Sequence, residues 1–250
     1  MTPYEWARLA SAPLLPVLHN RVRSEVRRLV RPASASGSAS PCRILDVGGR
    51  RSPYTIGVDA EVTILDLPRE SDVQHKLELG LNERVLERIQ ARRSNIVRVL
   101  LEDMTRCSLP EASFDGVVSV EVIEHVPDDD AFMAQVARVL KPGGWCYFTT
   151  PNGDYVKNEP PNYNPDHLRH YRREQLEQLL ARHFARVRVV YGVRTGVHRA
   201  RGLRSLSPRR PIRAAVTAFS NLMSHAESRG LDEQSRRTAH LFATAWKAPA

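Results

Sequence analysis

Four acidic residues close apolar runs in this chain: Asp46 after RIL, Asp66 after VTIL, Asp103 at the end of NIVRVLLED and Glu121 after FDGVVSV. A charge that ends a buried strand is costly unless it is paired, so such residues are candidates for holding a ligand. In an open parallel sheet, ligands bind beyond the carboxyl ends of the strands, and the four acidic ends would meet in one crevice. A crevice of that kind repels a phosphate-bearing dinucleotide. It suits a ligand with a cationic centre, ribose hydroxyls and an adenine amino group. The first acidic end is followed by Gly48 and Gly49 and then by Arg50 and Arg51, where a glycine-rich nucleotide loop would continue with glycine. Dinucleotide binding needs Gly-x-Gly-x-x-Gly and a helix start aimed at the pyrophosphate, and this stretch offers neither.

These residues need strands to carry them, and the texture of the chain supplies them. Strand-like runs are expected at 43–48, 62–67, 95–103, 114–122, 145–151, 185–193 and 240–248, with helical patterns at 69–92, 129–140 and 173–182. Strands alternating with helices imply a parallel sheet with helices on both faces, because right-handed crossovers return each strand to the same sheet. The last two strand-like runs have no clear covering helix pair, which suits a final antiparallel strand. The expected fold is therefore α/β and Rossmann-like, with seven mostly parallel strands. Upstream, the residues after Pro16 form an amphipathic pattern with Leu15, Leu18, Val22, Val26 and Leu29 on one face. Packing on the domain is the expected use of that face. The Ser/Ala/Gly stretch 32–41 reads as a linker, so the expected division is 1–41 and 42–250. A basic insertion spans 194–238. It carries a helical pattern that starts at Pro211 and places Ile212, Val216, Phe219, Leu222 and Met223 on one side. Arg209, Arg210 and Arg213 at its start serve either an anion or a solvated surface.

The ordered set of motifs resembles the class I S-adenosylmethionine-dependent methyltransferases, firmly over 43–151. ILDVGGR stands as the family's first motif, Asp66 as the acidic end of the second strand, and Asp103-Met104 where the family contacts adenine. FDGVVSVEVIEHVPDDDAFMAQVARVLKPGGWCYFTTPN, 114–152, resembles the fourth strand, the helix after it and the KPGG turn into the fifth strand, and it is the most specific signal in the chain. NPDHLRHYRREQLEQLL, 164–180, is similar to a segment of small-molecule members. The resemblance implies S-adenosylmethionine as cofactor, and the residues suit it. Gly48 lets the backbone pass close to the methionyl part. Asp66 can accept from both ribose hydroxyls. Asp103 can accept from the adenine amine, with Met104 and Leu67 on the ring faces. Asp46 and Glu121 can hold the ammonium, and Arg50 or Arg51 can reach the methionyl carboxylate. Gly49 lies in the same turn. The chain departs from the family's Gly-x-Gly-x-Gly loop, since only Gly48 stands in register.

The reaction implied is transfer of a methyl group from sulfonium to a nucleophile held in line. A base is needed only if the acceptor carries a proton of high pKa, and His125, His167 and His170, with Glu124 behind them, are the candidates. Glu124 and His125 can instead cap the following helix, and His167, His170 and Tyr171 can simply stabilise their loop. EVIE stands where nucleobase amine methyltransferases carry an Asn/Asp-Pro-Pro-Tyr tetrad. The expected acceptor is a small-molecule hydroxyl, on a sugar, phenol or secondary metabolite, and the basic insertion allows it an anionic group. The rival readings are N- or C-methylation, a binding or scaffold protein of the same fold without turnover, and a nicotinamide oxidoreductase.

The 250 residues suffice for one large α/β domain, and 42% apolar with 26% charged residues is ordinary for a globular protein. The formal charge of +9 gathers outside the motif-bearing stretch, and the aromatic residues that a nucleic-acid surface would interleave with it are sparse. Cys42, Cys107 and Cys146 form no CxxC pair, so neither a disulfide framework nor a metal site is expected. No run approaches the ~20 apolar residues of a membrane span. No secretory signal is read at the start, and a cytoplasmic protein is expected.

Overall fold

Near-continuous apolar runs build the central strands, so that both faces of each are buried. That is the pattern of a sheet covered on two sides. The computed structural model describes residues 1–35, 41–49, 52–67, 92–160, 163–195 and 211–250. Its strands are β1 (Arg43–Val47), β2 (Glu61–Asp66), β3 (Ile96–Leu101), β4 (Phe114–Val120), β5 (Leu140–Pro151), β6 (Arg186–Arg194) and β7 (Thr238–Trp246). They form one sheet in the order β3-β2-β1-β4-β5-β7-β6. All neighbours are parallel except β7, which runs antiparallel between β5 and β6. The expected architecture is thus the observed one. The order turns back between β1 and β4, so the crevice above these two strands is the switch point where such sheets bind ligands.

The described helices are α1 (Pro3–Ala10), α2 (Val17–Ala35), α3 (Asp129–Val139), α4 (Arg173–Ala181) and α5 (Pro211–Glu227). On one face of the sheet, Phe132, Met133 and Val136 of α3 and Leu176 and Leu180 of α4 bury against Leu45, Val47, Cys146 and Phe148. On the other, Val22, Val26 and Leu29 of α2 bury against Ile44, Ile64, Val118 and Tyr147. Residues 145–148 show the alternation directly: Trp145 and Tyr147 join the α2 side, and Cys146 and Phe148 join the α3 side. The upstream helix therefore packs on the sheet as its apolar stripe implies. At about 25 cal/mol per Å² of apolar surface removed from water, such side chains contribute roughly 1.5–3 kcal/mol each.

Four expectations change. The stretch read as a linker begins as helix, since α2 continues to Ala35 before the undescribed residues 36–40. Alanine and serine tolerate helical backbone once a long helix already runs into them. The fifth strand starts at Leu140 instead of 145, because Leu140 pairs with Phe114 and the KPGG residues form a bulge within the strand. Helix α1 was not expected; its signal is the capping box of Thr2 and Glu5 with Pro3 at the first position.

The fourth change concerns α5, which exists as read but faces the other way. Its buried residues are Thr217, Asn221 and Ser224, while Ile212 is 81% exposed and Val216, Phe219 and Leu222 are also exposed. The helix packs on the turn at 12–15, whose carbonyls need donors. Asn221 Nδ2 donates to the Leu14 carbonyl at 2.8 Å, and His225 Nε2 lies 2.9 Å from that of Leu15. Satisfying buried carbonyls selects the polar stripe over the apolar one. The helical pattern at 69–92 lies almost wholly outside the described residues, as do Arg209 and Arg210.

Candidate active site

The carboxyl end of β1 delivers Asp46 into the crevice. Its side chain is 1% exposed and accepts a hydrogen bond from Thr55 Oγ1 at 3.0 Å. Arg93 donates from Nη2 to that same hydroxyl at 2.6 Å and from Nη1 to the Ser52 carbonyl at 3.1 Å. Burial pushes the Asp46 carboxyl up to about 6, with Arg93 and the Thr55 hydroxyl pulling against it. The glycines that follow are dictated by this packing. Gly48 has φ +71°, and a Cβ there would lie 2.6 Å from Val122 Cγ2. A Cβ on Gly49 would lie 2.4 Å from Asp46 Cγ. Gly48 N–H donates to the Leu65 carbonyl at 2.8 Å, which binds the turn to β2. Arg50 and Arg51, expected beside a cofactor carboxylate, lie outside the described residues.

Asp66 closes β2, one position from β1 in the sheet, and its Oδ1 accepts from Leu67 N–H at 2.9 Å. Leu67 is 48% exposed. The Asp103 carboxylate caps the short turn Met104–Arg106, accepting from Thr105 N–H at 2.9 Å and Thr105 Oγ1 at 2.8 Å. Met104 is buried with the α3-side core, so its side chain is occupied by packing. Glu102, at the same strand end, accepts two hydrogen bonds from Ser108, which hold its carboxyl below the usual range.

Glu121 follows β4 with φ 55°, a left-handed conformation that costs a non-glycine residue of order 1–3 kcal/mol. Its position is held from the neighbouring strands. Oε1 accepts from Thr149 Oγ1 of β5 at 2.8 Å and lies 3.1 Å from His240 Nδ1 of β7. Burial alone would raise the Glu121 carboxyl, but His240 and Thr149 outweigh it and hold the group below its usual range. Burial disfavours the charged His240 ring, yet Glu121 more than offsets this and raises it. Three residues on, Glu124 is fully buried and accepts from Thr150 Oγ1 at 3.1 Å. Burial, and then the Glu121 charge, push the Glu124 carboxyl well up.

A loop after β5 brings His167 and His170 to the turn that carries Glu124 and His125. Leu168 N–H donates to the Glu124 carbonyl at 2.9 Å, and Arg169 pairs with Asp129 at 2.6 Å. His125 Nδ1 lies 2.7 Å from the Asp166 carbonyl, and the rings of His125 and His167 meet edge to face at 4.7 Å. His167 Nδ1 lies 2.8 Å from His170 Nε2, and His170 Nδ1 lies 2.8 Å from the Val156 carbonyl. A carbonyl only accepts, so His170 carries its proton on Nδ1 and accepts at Nε2 from His167. His170 therefore has both ring nitrogens engaged and orients His167, contrary to its place among the candidate bases. His125 and His167 keep a lone pair on Nε2. Burial, with His125 and His170 nearby, lowers the His167 pKa and keeps the ring neutral. Thr55, Arg93, Thr149 and His240 were not singled out in the sequence. Only the strand pairing that sets Pro151 against His240 brings this histidine near the end of β4.

Residues 37–148 match the family model described as "Methyltransferase domain". Over these residues the chain is similar to S-adenosylmethionine-dependent methyltransferases. A ubiquinone biosynthesis O-methyltransferase of Paracidovorax citrulli is 37% identical over 116 residues, which are 44% of this chain and 44% of that protein. The chain thus matches less than half the length of that curated relative. A solved S-adenosylmethionine-dependent methyltransferase from Archaeoglobus fulgidus superposes with a TM-score of 0.53 at 16% identity, covering 90% of this chain and 94% of that one. Phosphoethanolamine N-methyltransferase 2 of Haemonchus contortus, solved with S-adenosyl-L-methionine, gives a TM-score of 0.52 at 20% identity over 88% of this chain and 52% of that one. These structural likenesses speak for the methyltransferase fold. No described helix is long and apolar enough to cross a membrane.

Proposed function

We propose that this methyltransferase binds S-adenosylmethionine above β1 and β2 and passes its methyl group to a small-molecule hydroxyl. The observation that carries the reading is the Asp46–Gly48–Gly49 turn at the switch point, with Asp66 on the adjacent strand end. In this reading Asp66 accepts from the ribose hydroxyls and Leu67 covers one face of the adenine. Gly48 and Gly49 let the methionyl part approach, and Asp46 holds its ammonium with Glu121. Asp103 offers its second oxygen to the adenine amine while keeping its capping bonds. Arg50 or Arg51, which follow this turn in the sequence, would reach the methionyl carboxylate.

The acceptor oxygen attacks the methyl carbon with a lone pair, and the sulfur–methyl bond breaks with its electrons returning to sulfur. S-adenosylhomocysteine leaves, and the hydroxyl proton passes to Nε2 of His125 or His167. The protein's main work is to hold donor and acceptor in line, about 3 Å apart, and to keep water out. Oxygen is favoured as acceptor by two imidazoles whose Nδ1 atoms are engaged, leaving Nε2 of each to take a proton, since a hydroxyl needs a base more than a free amine does. The relative from Paracidovorax citrulli, named as an O-methyltransferase, points the same way. An anionic substituent would suit the basic segment around α5.

Incubation of the purified chain with methyl-labelled S-adenosylmethionine and a panel of hydroxylated metabolites tests the proposal. Label in an ether product supports it. Cofactor binding without label transfer to any hydroxyl or amine favours a binding protein of the same fold.

A further inference from the structure

The cluster behind the proposed acceptor position holds more lone pairs than a base requires. Glu124, His125 and His167 each offer one donor atom, and these atoms lie within 4.8 Å of one another. Both imidazoles have Nδ1 committed, His125 to the Asp166 carbonyl and His167 to His170 Nε2, so Nε2 is the atom each has left to offer. Glu124 is fully buried, and its Oε1 has no hydrogen-bond partner among the described residues. A buried carboxylate oxygen without a donor is rare and costs about 1–3 kcal/mol. Three atoms able to ligate an ion thus face one another across less than 5 Å.

We infer that Glu124, His125 and His167 form a binding site for a divalent cation of the zinc class. Two imidazoles and one carboxylate are a borderline donor set, which selects Zn²⁺ or Co²⁺ over Mg²⁺ and Ca²⁺. Ligands about 2.1 Å from a common ion stand about 3.4 Å apart, so side-chain adjustments of about 1 Å close the cluster. The surroundings already orient the donors as metal sites require. Each histidine has its other nitrogen fixed by a carbonyl or a second imidazole, and Thr150 fixes the far oxygen of Glu124. Three protein ligands leave open positions for water or an acceptor oxygen. With an ion bound, the imidazoles act as ligands, and the ion acidifies the coordinated hydroxyl in place of a base. The site stands on these residues alone and does not rest on the methyl-transfer reading.

The test uses the full chain, stripped with chelator and titrated calorimetrically with Zn²⁺ and separately with Co²⁺, in the absence of cofactor. One ion per chain is expected. His125→Ala, His167→Ala and Glu124→Gln should each weaken binding at least ~10-fold, about 1.4 kcal/mol. His170→Ala should weaken it less, through loss of orientation, and His225→Ala should leave it unchanged. Thermal melts of each variant separate loss of ligands from loss of fold, and the exposed His125 gives the variant most tolerant of change. Absence of Zn²⁺ and Co²⁺ binding by the unaltered chain would overturn the inference. So would unchanged binding by a folded His125→Ala/His167→Ala variant.

Discussion

The two halves of the sheet's carboxyl edge handle their carboxylates in different ways. Over β1 and β2 the work is done by residues close in sequence: Asp46, the two glycines it dictates, and Asp66 twenty positions on. Over β4 and β5 it is done by residues brought from far away. Glu121 depends on His240, 119 residues downstream, and Glu124 meets a loop some forty residues away. Asp46 is raised by burial and Glu121 is held ionised by a partner, so one edge presents two carboxylates of different strength. The first half is suited to a fixed, charged cofactor, whose ammonium Glu121 would also meet, and the Glu124 cluster of the second half to proton or metal chemistry on a variable acceptor.

The sharpest way to break this contrast is Asp66→Ala. Loss of two charge-assisted hydrogen bonds of about 1.5 kcal/mol each should weaken S-adenosylhomocysteine binding about 100-fold by calorimetry. The melting temperature should barely move, because Asp66 sits at the edge of the crevice. A folded variant with unchanged affinity would detach β2 from the cofactor reading. Gly49→Ala should follow, weakening binding about 10-fold and lowering stability by about 1–3 kcal/mol, since the new methyl displaces the Asp46 carboxylate.

Titration sharpens the comparison. If the bound cofactor needs ionised Asp46, its affinity is full well above pH 6 and falls as pH drops through about 6, by up to about tenfold per unit. Asp46→Asn should flatten that profile. For the other half the signs differ. The raised His240 contributes stability that is present below the ordinary histidine range and lost as pH rises through its folded value. The lowered Glu121 contributes stability present above its ordinary range and lost as pH falls through its folded value. The stability gap between the chain and His240→Gln, measured by denaturant melts, should therefore narrow as the solution becomes alkaline. The smallest effect expected is that of Ile212→Ser on α5, within about 0.5 kcal/mol in the same melts, because that side chain is 81% exposed.

What could be read from the sequence follows the same division. The seven strands and the four acids that close β1 to β4 were legible because apolar runs and a buried-charge argument are local. Met104 was not, since its burial under α3 depends on packing between distant segments. The orientation of α5 misled for a physical reason: its amphipathic stripe is real, but the partner it meets is a turn with carbonyls to satisfy. His170 was grouped with His125 and His167 as a candidate base, and only the hydrogen bond to Val156 reveals it as the support of His167.

The most direct test of the central claim is calorimetric titration of the purified chain with S-adenosylhomocysteine near neutral pH. The account predicts one molecule bound per chain, with the affinity lost in Asp66→Ala. Absence of binding by the folded, unaltered chain at millimolar ligand would contradict it.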